Sequence, residues 1–225
     1  MCSSDLLRTP LAVLRSEAEV ALRSPREPEQ YRQVLETMLE EVERLARLAD
    51  QLLFLSRKDA GLIPRVREPL ELQKLAEDVA ELMHLVAEAK SVTLRVEHLA
   101  SCPVRADEDQ LRRVLFNLVD NAIKFTPRGG TISVRCEPVG DQFGVIITDT
   151  GIGIGSEHLP HIFERFYRVD PSRSSEAGGT GLGLAIGRAI AEAHGGSIRI
   201  ESTAGVGTAA TLLLPPLSPT AASDT

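Results

Sequence analysis

The sequence predicts a chain in two parts: an N-terminal antiparallel helical hairpin, half of a dimeric four-helix bundle, followed by a two-layer α/β sandwich. Three observations carry this reading. Apolar residues recur at helical spacing through the first sixty positions, interrupted once by Ser24-Pro25-Arg26-Glu27-Pro28. Past residue 65 the pattern changes to amphipathic helices alternating with short β-rich stretches. Finally, the glycine-dense run Gly178-Gly179-Thr180-Gly181-Leu182-Gly183 opens a further apolar helix.

In the hairpin, residues 1–60, Leu7, Leu11, Leu14, Ala18 and Ala21 form the first stripe. Tyr31, Leu35, Met38, Val42, Leu45, Ala49 and Leu52 form the second, at a mean step of 3.5 residues, the repeat of a coiled-coil seam. A hairpin alone leaves apolar surface uncovered, so this part is expected to pair with a second copy as a homodimer. Packing of the seam on the chain's own C-terminal part is the alternative. Residues 58–64 read as a linker, and residues 65–214 as one domain. Its expected elements are a helix over 70–88, strands over 92–96 and 104–106, and a helix over 107–124 capped by Asp107 or Asp109. Strands over 131–136 and 143–149 follow around Gly140-Asp141, then the helix from Gly181 to Gly195-Gly196. Strands over 197–201 and 208–214 flank Gly205-Val206-Gly207. The tail, 215–225, is rich in Pro, Ser, Thr and Ala and is expected to be disordered.

Composition narrows the function. A formal charge of −7 argues against nucleic acid as the partner. No run approaches the ~18 apolar residues of a membrane span, and no signal-peptide pattern opens the chain. Cys2, Cys102 and Cys136 are too widely separated for a zinc site or a disulfide framework, so a reducing, cytoplasmic setting is expected, with any membrane segment in a longer parent.

The chemistry-bearing residues of the second part fall in four stretches. The glycine run feeds a helix N-terminus, where free backbone N–H groups and the helix dipole favour an anion such as phosphate. The residues before it are polar rather than a strand, and no GxxxxGK[ST] occurs, which sets aside the dinucleotide fold and the P-loop. Asn117 and Asn121, four apart in Asn117-Leu118-Val119-Asp120-Asn121-Ala122-Ile123-Lys124, share a helix face and offer amide oxygens to a hard cation such as Mg²⁺. Lys124 can meet a phosphate; two solvated asparagines on an amphipathic helix is the plainer alternative. Asp149 ends a strand and runs into Thr150-Gly151-Ile152-Gly153, an acceptor carboxylate followed by glycines that admit a flat ligand. This suits recognition of an exocyclic amine, or is simply a strand-ending turn. Ile162-Phe163-Glu164-Arg165-Phe166-Tyr167-Arg168 sets two arginines among aromatics, either the start of a mobile lid or a partly buried surface helix.

Taken together, the asparagine stretch, Asp-Thr-Gly-Ile-Gly, the phenylalanine stretch and Gly-Thr-Gly-Leu-Gly-Leu, in this order, resemble the ATP-binding half of bacterial sensor histidine kinases, in the superfamily that includes gyrase and Hsp90. The similarity covers residues 65–214, and the hairpin resembles that family's dimerisation domain. The resemblance implies an ATP-binding α/β sandwich with Asn121 as the Mg²⁺ ligand and Asn117 beside it. It makes Asp149 the adenine contact and Gly151, Gly153 and Thr208 further cofactor-binding residues. It also implies Lys124 and Arg165 as phosphate contacts, and Gly179, Thr180, Gly181, Leu182 and Gly183 as lid hinge and phosphate loop. The lid itself would be residues 154–178. A response regulator is the implied partner.

One stretch departs from the family. Where its phosphoacceptor motif reads His-Glu-Leu-Arg-Thr-Pro, this chain has Asp5-Leu6-Leu7-Arg8-Thr9-Pro10. All five histidines lie in the second part, so none stands in on the helix. A phosphoramidate needs an imidazole nitrogen, and autophosphorylation at this position is therefore not expected. Residues 1–6 replacing a natural motif, a natural change in a degenerate kinase, and an engineered substitution are its three possible origins. Thr9 occupies the position whose hydroxyl, in the family, helps orient water when a response regulator is dephosphorylated. A phosphatase or a nucleotide-gated scaffold is thus the alternative to a kinase.

Overall fold

The computed structural model describes residues 3–23, 27–59, 67–169 and 180–217, apart from the side chains of residues 3–10, 44 and 57–59. The chain divides into two compact units, Met1–Leu62 and Ile63–Thr225.

The first unit is a helical hairpin of α1 (Ser3–Arg23) and α2 (Pro28–Asp59), which pack on each other. Glu27 starts α2: its carbonyl accepts from Gln30 N–H at 2.9 Å and its own N–H donates to Gln30 Oε1 at 3.3 Å, with Pro28 at the first helical position, where its missing N–H is harmless. Met38, Leu45 and Leu52 of the expected stripe are half-buried, and the fully buried positions lie beside it. Leu48 and Leu55 are buried with Ala21, while Leu35 and Val42 are exposed, together with Leu11, Val20, Leu39 and Leu53. The apolar face of α2 is wider than one partner helix can cover.

The second unit is a two-layer α/β sandwich. Its elements are β1 (Glu68–Glu71), α3 (Leu72–Ala89), β2 (Thr93–Leu99), β3 (Pro103–Ala106), α4 (Glu108–Phe125), β4 (Thr131–Val139), β5 (Gln142–Asp149), α5 (Gly183–Ala193), β6 (Ser197–Thr203) and β7 (Gly207–Leu214). Five strands form a mixed sheet in the order β2-β4-β5-β7-β6, with only β2 and β4 parallel. Alternation sets the core: Ile132, Val134 and Cys136 on β4, Val145 and Ile147 on β5, and Ala210 and Leu212 on β7 are buried. Facing them are Leu72, Leu75 and Val79 of α3, Leu111, Val114, Leu115 and Leu118 of α4, and Ile186 and Ile190 of α5. Each such side chain contributes about 1.5–3 kcal/mol when fully buried. α4 packs between α3 and α5.

The sequence reading missed β1. Glu68-Pro69-Leu70-Glu71 is short, contains proline, and pairs antiparallel with the distant β3 in a separate two-stranded sheet, a partner no local pattern announces. The helix therefore starts at Leu72, and β2 and β4 run on to Leu99 and Val139, with a bulge between Val96 and His98. Of the two candidate caps, Asp107 is the one used: its Oδ1 accepts from Gln110 N–H at 3.1 Å. At the other end of α4, the Lys90 ammonium donates to the carbonyls of Ile123 and Lys124, where the helix dipole favours a cation. Pro215 to Leu217 continue from β7, and Leu217 N–H donates to Pro103 O at 2.8 Å. Residues 218–225 of the expected tail lie outside the described residues. Cys102 and Cys136 are buried and unbridged, and burial raises the pKa of both thiols.

His194 ties α5 to the start of α4. It is buried, donates from Nδ1 to Ile190 O at 2.8 Å and accepts at Nε2 from Asp107 N–H at 3.0 Å. The bond at Nε2 requires the neutral ring, because a protonated Nε2 has no lone pair to accept with, whereas Nδ1–H donates in either state. Burial lowers its pKa below the ordinary 6.5, with the Arg67 charge adding to that and the Ile190 bond and Asp107 opposing it. Because the unfolded chain takes up this proton more readily, the contribution is complete above the unfolded value and is lost as pH falls through the folded one. Calorimetry should show wild-type protein losing stability from about pH 7 to about pH 5. His194→Gln should be less stable at the upper pH but fall less steeply; an unchanged slope would assign the titration to another group.

Candidate functional site

α4 is the central wall of the site. Asn117, Asn121 and Lys124 project from it at half-buried positions. Asn117 Nδ2 donates to Gly183 O at 3.4 Å, joining α4 to the first residue of α5. A Cβ on Gly183 would lie 3.6 Å from Asn117 Cγ, in ordinary contact, so this glycine opens space rather than relieving a clash. Among the described residues, the Asn121 amide has no hydrogen-bond partner. Lys124 is ion-paired to Asp120 at 2.6 Å on the same helix. Such a half-exposed pair is worth at most about 1 kcal/mol, so an incoming phosphate can compete for the ammonium.

Asp149 closes the opposite side. It is buried at the end of β5, and its Oδ1 accepts from Gly151 N–H at 2.8 Å and from Thr208 N–H at 3.2 Å. Burial pushes its carboxyl pKa up, and these two bonds pull it back. Among the described residues no group donates to Oδ2, so one carboxylate oxygen is held by backbone and the other is left as an acceptor. The glycines here are steric necessities. A Cβ on Gly151 would come within 2.6 Å of both Asp149 Oδ1 and Phe125 O. Gly153 has φ +65, and a Cβ there would run into the Thr203 carbonyl. The Ile152 N–H donates to Phe125 O at 3.1 Å, and the Ile152 carbonyl accepts from Gly205 N–H at 2.7 Å. The loop after Asp149 is thus pinned between the end of α4 and the β6–β7 turn. Phe125 and Ile152 are exposed beside it.

At the glycine run, Gly181 has φ +70 and its carbonyl accepts from Phe166 N–H at 2.9 Å. Leu182 is fully buried and precedes α5, and its N–H reaches Thr180 Oγ1 at 3.4 Å. Gly178 and Gly179 lie outside the described residues. In the phenylalanine stretch Ile162 is buried, the Arg188 guanidinium lies 5.5 Å from the centre of the Phe163 ring, and His158 Nδ1 is 2.8 Å from the Tyr167 hydroxyl. The first part of the expected lid is therefore packed, because Ile162 and Phe163 give it something to bury. Residues 170–178 of that lid lie outside the described residues. Arg165 is exposed.

The structure thus brings together Asn117, Gly183 and the start of α5 on one side, and Asp149, Gly151, Gly153 and Thr208 on the other, with Asn121 and Lys124 on the α4 wall between them. Asp5 and Thr9 lie on α1 in the other unit, with side chains outside the described residues. Two residues near the site carry no sequence signal as ligand contacts: Phe125, which ends α4 beside Asp149, and Ser202, whose hydroxyl accepts from Ile154 N–H at 2.8 Å.

Residues 106–218 match the family described as "Histidine kinase-, DNA gyrase B-, and HSP90-like ATPase", and residues 4–61 match the "His Kinase A (phospho-acceptor) domain". The chain belongs to the histidine kinase family. This histidine-kinase core, of the kind found in two-component systems, is 43% identical over 196 residues to the sensor protein IrlS of Burkholderia pseudomallei, covering 87% of this chain and 42% of that protein. It is 39% identical over 198 residues to the sensor histidine kinase CusS of Escherichia coli, covering 88% and 41%. The Acinetobacter baumannii histidine kinase AdeS shares the fold, with a TM-score of 0.75 at 24% identity over 94% of this chain and 98% of that one. The chain spans about two fifths of the length of the two curated relatives. Among the described residues of the histidine-kinase core, no helix is long and apolar enough to cross a membrane.

The glycine geometry gives a graded test. Gly153→Ala should be markedly less stable than Gly205→Ala, by urea unfolding. Both substitutions place alanine at positive φ, costing about 1–2 kcal/mol, but only Gly153 also meets backbone, whereas Gly205 faces open space. Equal losses would mean that the loop yields at Thr203.

Proposed function

We propose that this chain binds ATP with Mg²⁺ and is built for phosphoryl transfer in a two-component system, but does not label itself at the usual position. The observation that carries the binding reading is Asp149: a buried carboxylate with one oxygen fixed by two backbone N–H groups and the other open, beside glycines that leave room for a flat base. A 6-amino group is the complementary donor, and the exposed Phe125 ring and Ile152 offer an apolar rim. The start of α5 supplies N–H groups for phosphates. Lys124 and Arg165 are the cationic candidates, with Thr180, Gly181, Leu182 and Gly183 as the phosphate loop and Gly179 as its hinge.

Mg²⁺ fits the residues present. Among the described residues no cluster of His, Cys, Asp or Glu could hold a metal unaided, while Asn121 offers one hard, unengaged amide oxygen. Mg²⁺ favours a site of one or two protein oxygens completed by phosphates and water. Asn121 would hold it, Asn117 stands one turn away, and when bound the ion would neutralise phosphate charge. The chain's own residues position the nucleotide.

With Asp5 at the acceptor position and Leu6 after it, neither imidazole nor an adjacent acid–base group is available there. The His Kinase A match over residues 4–61 supports a homodimer through the hairpin and a response regulator as partner, and the apolar residues exposed on α2 are the surface a second copy would cover. Retention of Thr9 supports a second reading, in which the chain dephosphorylates a regulator rather than charging one.

Titration with a fluorescent ATP analogue tests the site. Asp149→Asn should weaken binding about fivefold or more, the scale of one lost hydrogen bond. Asn121→Ala should narrow the difference between affinities with and without Mg²⁺; if neither variant departs from wild type by more than about twofold, the site is misassigned.

Incubation with labelled ATP tests the acceptor. The chain should gain no acid-labile, base-stable phosphate, and Asp5→His with Leu6→Glu should restore it. Histidine labelling of the unaltered chain would overturn the motif alignment. Failure of the restored chain, with ATP binding intact, would favour the phosphatase or scaffold reading.

A further inference from the structure

The acceptor face beside Asp149 depends on a residue that no sequence motif singles out. Ser202 lies on β6 directly opposite Thr208 on β7. Its hydroxyl oxygen accepts from Ile154 N–H at 2.8 Å, lies 2.8 Å from Gly207 O, and lies 2.8 Å from Thr208 Oγ1. A carbonyl cannot donate, so the single Ser202 proton goes to Gly207 O. The Thr208 proton must then go to Ser202, since Ser202 has none left to give. Thr208 Oγ1 is left with lone pairs alone. Its own N–H is held by Asp149 Oδ1 at 3.2 Å, so the carboxylate and the hydroxyl are neighbours, and both can only accept.

We propose that Ser202 is a specificity-determining positioning residue: by taking the Thr208 proton it makes the base-reading corner acceptor-only, which selects a 6-amino purine over a 6-oxo purine. This rests on the nucleotide reading above. Facing two acceptors, a 6-amino group donates, directly or through a water whose protons point the same way. A 6-oxo group presents lone pairs to lone pairs and leaves buried acceptors unpaired, the arrangement against which polar sites discriminate most strongly. Without Ser202 the Thr208 hydroxyl is free to rotate and can donate to that oxygen. Ser202 itself contacts no base in this account; it acts through Thr208.

The experiment measures competition by ATP and by inosine triphosphate, its 6-oxo counterpart, against a fluorescent ATP analogue. It uses the full chain as wild type, Ser202→Ala, Ser202→Cys, Thr208→Val and the Ser202→Ala/Thr208→Val pair. Ser202→Ala should weaken ATP about fivefold while leaving inosine triphosphate within about twofold, so that the preference for ATP shrinks. Ser202→Cys keeps the shape but is a poor acceptor, and should shift the preference the same way with the fold intact. In the Thr208→Val background, Ser202→Ala should alter the preference no further. Equal weakening of both nucleotides would overturn the proposal, leaving Ser202 as a brace for the loop. So would the same shift in the Thr208→Val background. Wild type that binds neither nucleotide would overturn the site reading and this proposal with it. If wild type binds ATP and Asp149→Asn does not, an unaltered preference in both Ser202 variants overturns the Ser202 role alone.

Discussion

A carboxylate buried at the end of a strand must have its charge compensated or be protonated, and the surroundings of Asp149 follow from that constraint. Its Oδ1 is satisfied by N–H groups from two directions, Gly151 just beyond it in the chain and Thr208 on the neighbouring strand. For the first bond the chain must turn back sharply, and Gly151 can do so because any Cβ would strike both the carboxylate and the Phe125 carbonyl. For the second, β7 must begin at Gly207, whose φ of +143 and close approach to the Asp149 carbonyl exclude a side chain. Satisfying one oxygen thus brings the end of α4, the loop after β5 and the β6–β7 turn to one point. Among the described residues the other oxygen has no donor.

Much of this was legible in the sequence, and the parts that were not share a cause. Asp149, the glycines after it and the asparagine pair could be read because each is a residue type whose chemistry is unusual at a strand end or on a helix face. The cap at Asp107 was narrowed to two residues, and only the Gln110 N–H decides between them. β1 was not legible, because its pairing partner, β3, lies more than thirty residues away and its own four residues show no alternation. Ser202 was not legible either: a serine in an amphipathic strand looks like any other, and its three contacts come from Ile154, Gly207 and Thr208. Across α2 burial divides between the expected stripe and its neighbours: Met38, Leu45 and Leu52 are half-buried, Leu48 and Leu55 are buried, and Leu35 and Val42 are exposed. A wide apolar face fixes the repeat without saying which edge the first partner takes.

The two units carry different kinds of constraint. In the sandwich, polar groups fix the ends of the elements: Lys90 on the last carbonyls of α4, His194 between α5 and Asp107, and Leu217 on Pro103. In the hairpin, Arg15 pairs with Glu19, Arg32 with Glu36 and Arg47 with Glu43, each one turn apart and exposed. Such pairs support the individual helices and specify little about a partner. The motif at Asp5 to Pro10 stands on the hairpin, which buries Ala21, Leu48 and Leu55, while the nucleotide chemistry proposed for the sandwich depends on hydrogen bonds of fixed direction.

The two tight turns of the sheet differ in a way that matters for anyone wishing to modify the molecule. Gly205 sits in a turn whose N–H is already spent on Ile152, so lengthening residues 203–207 would pull directly on the loop behind Asp149. The β4–β5 turn is different: Gly140 has φ +65, and nothing lies within 4 Å of where its Cβ would be. An epitope, a fluorophore-bearing loop or a new pair of chain ends placed at Gly140-Asp141 would extend into open solvent at the opposite end of β5 from the carboxylate. Exposed turns of this kind are where proteins best accept inserted sequence.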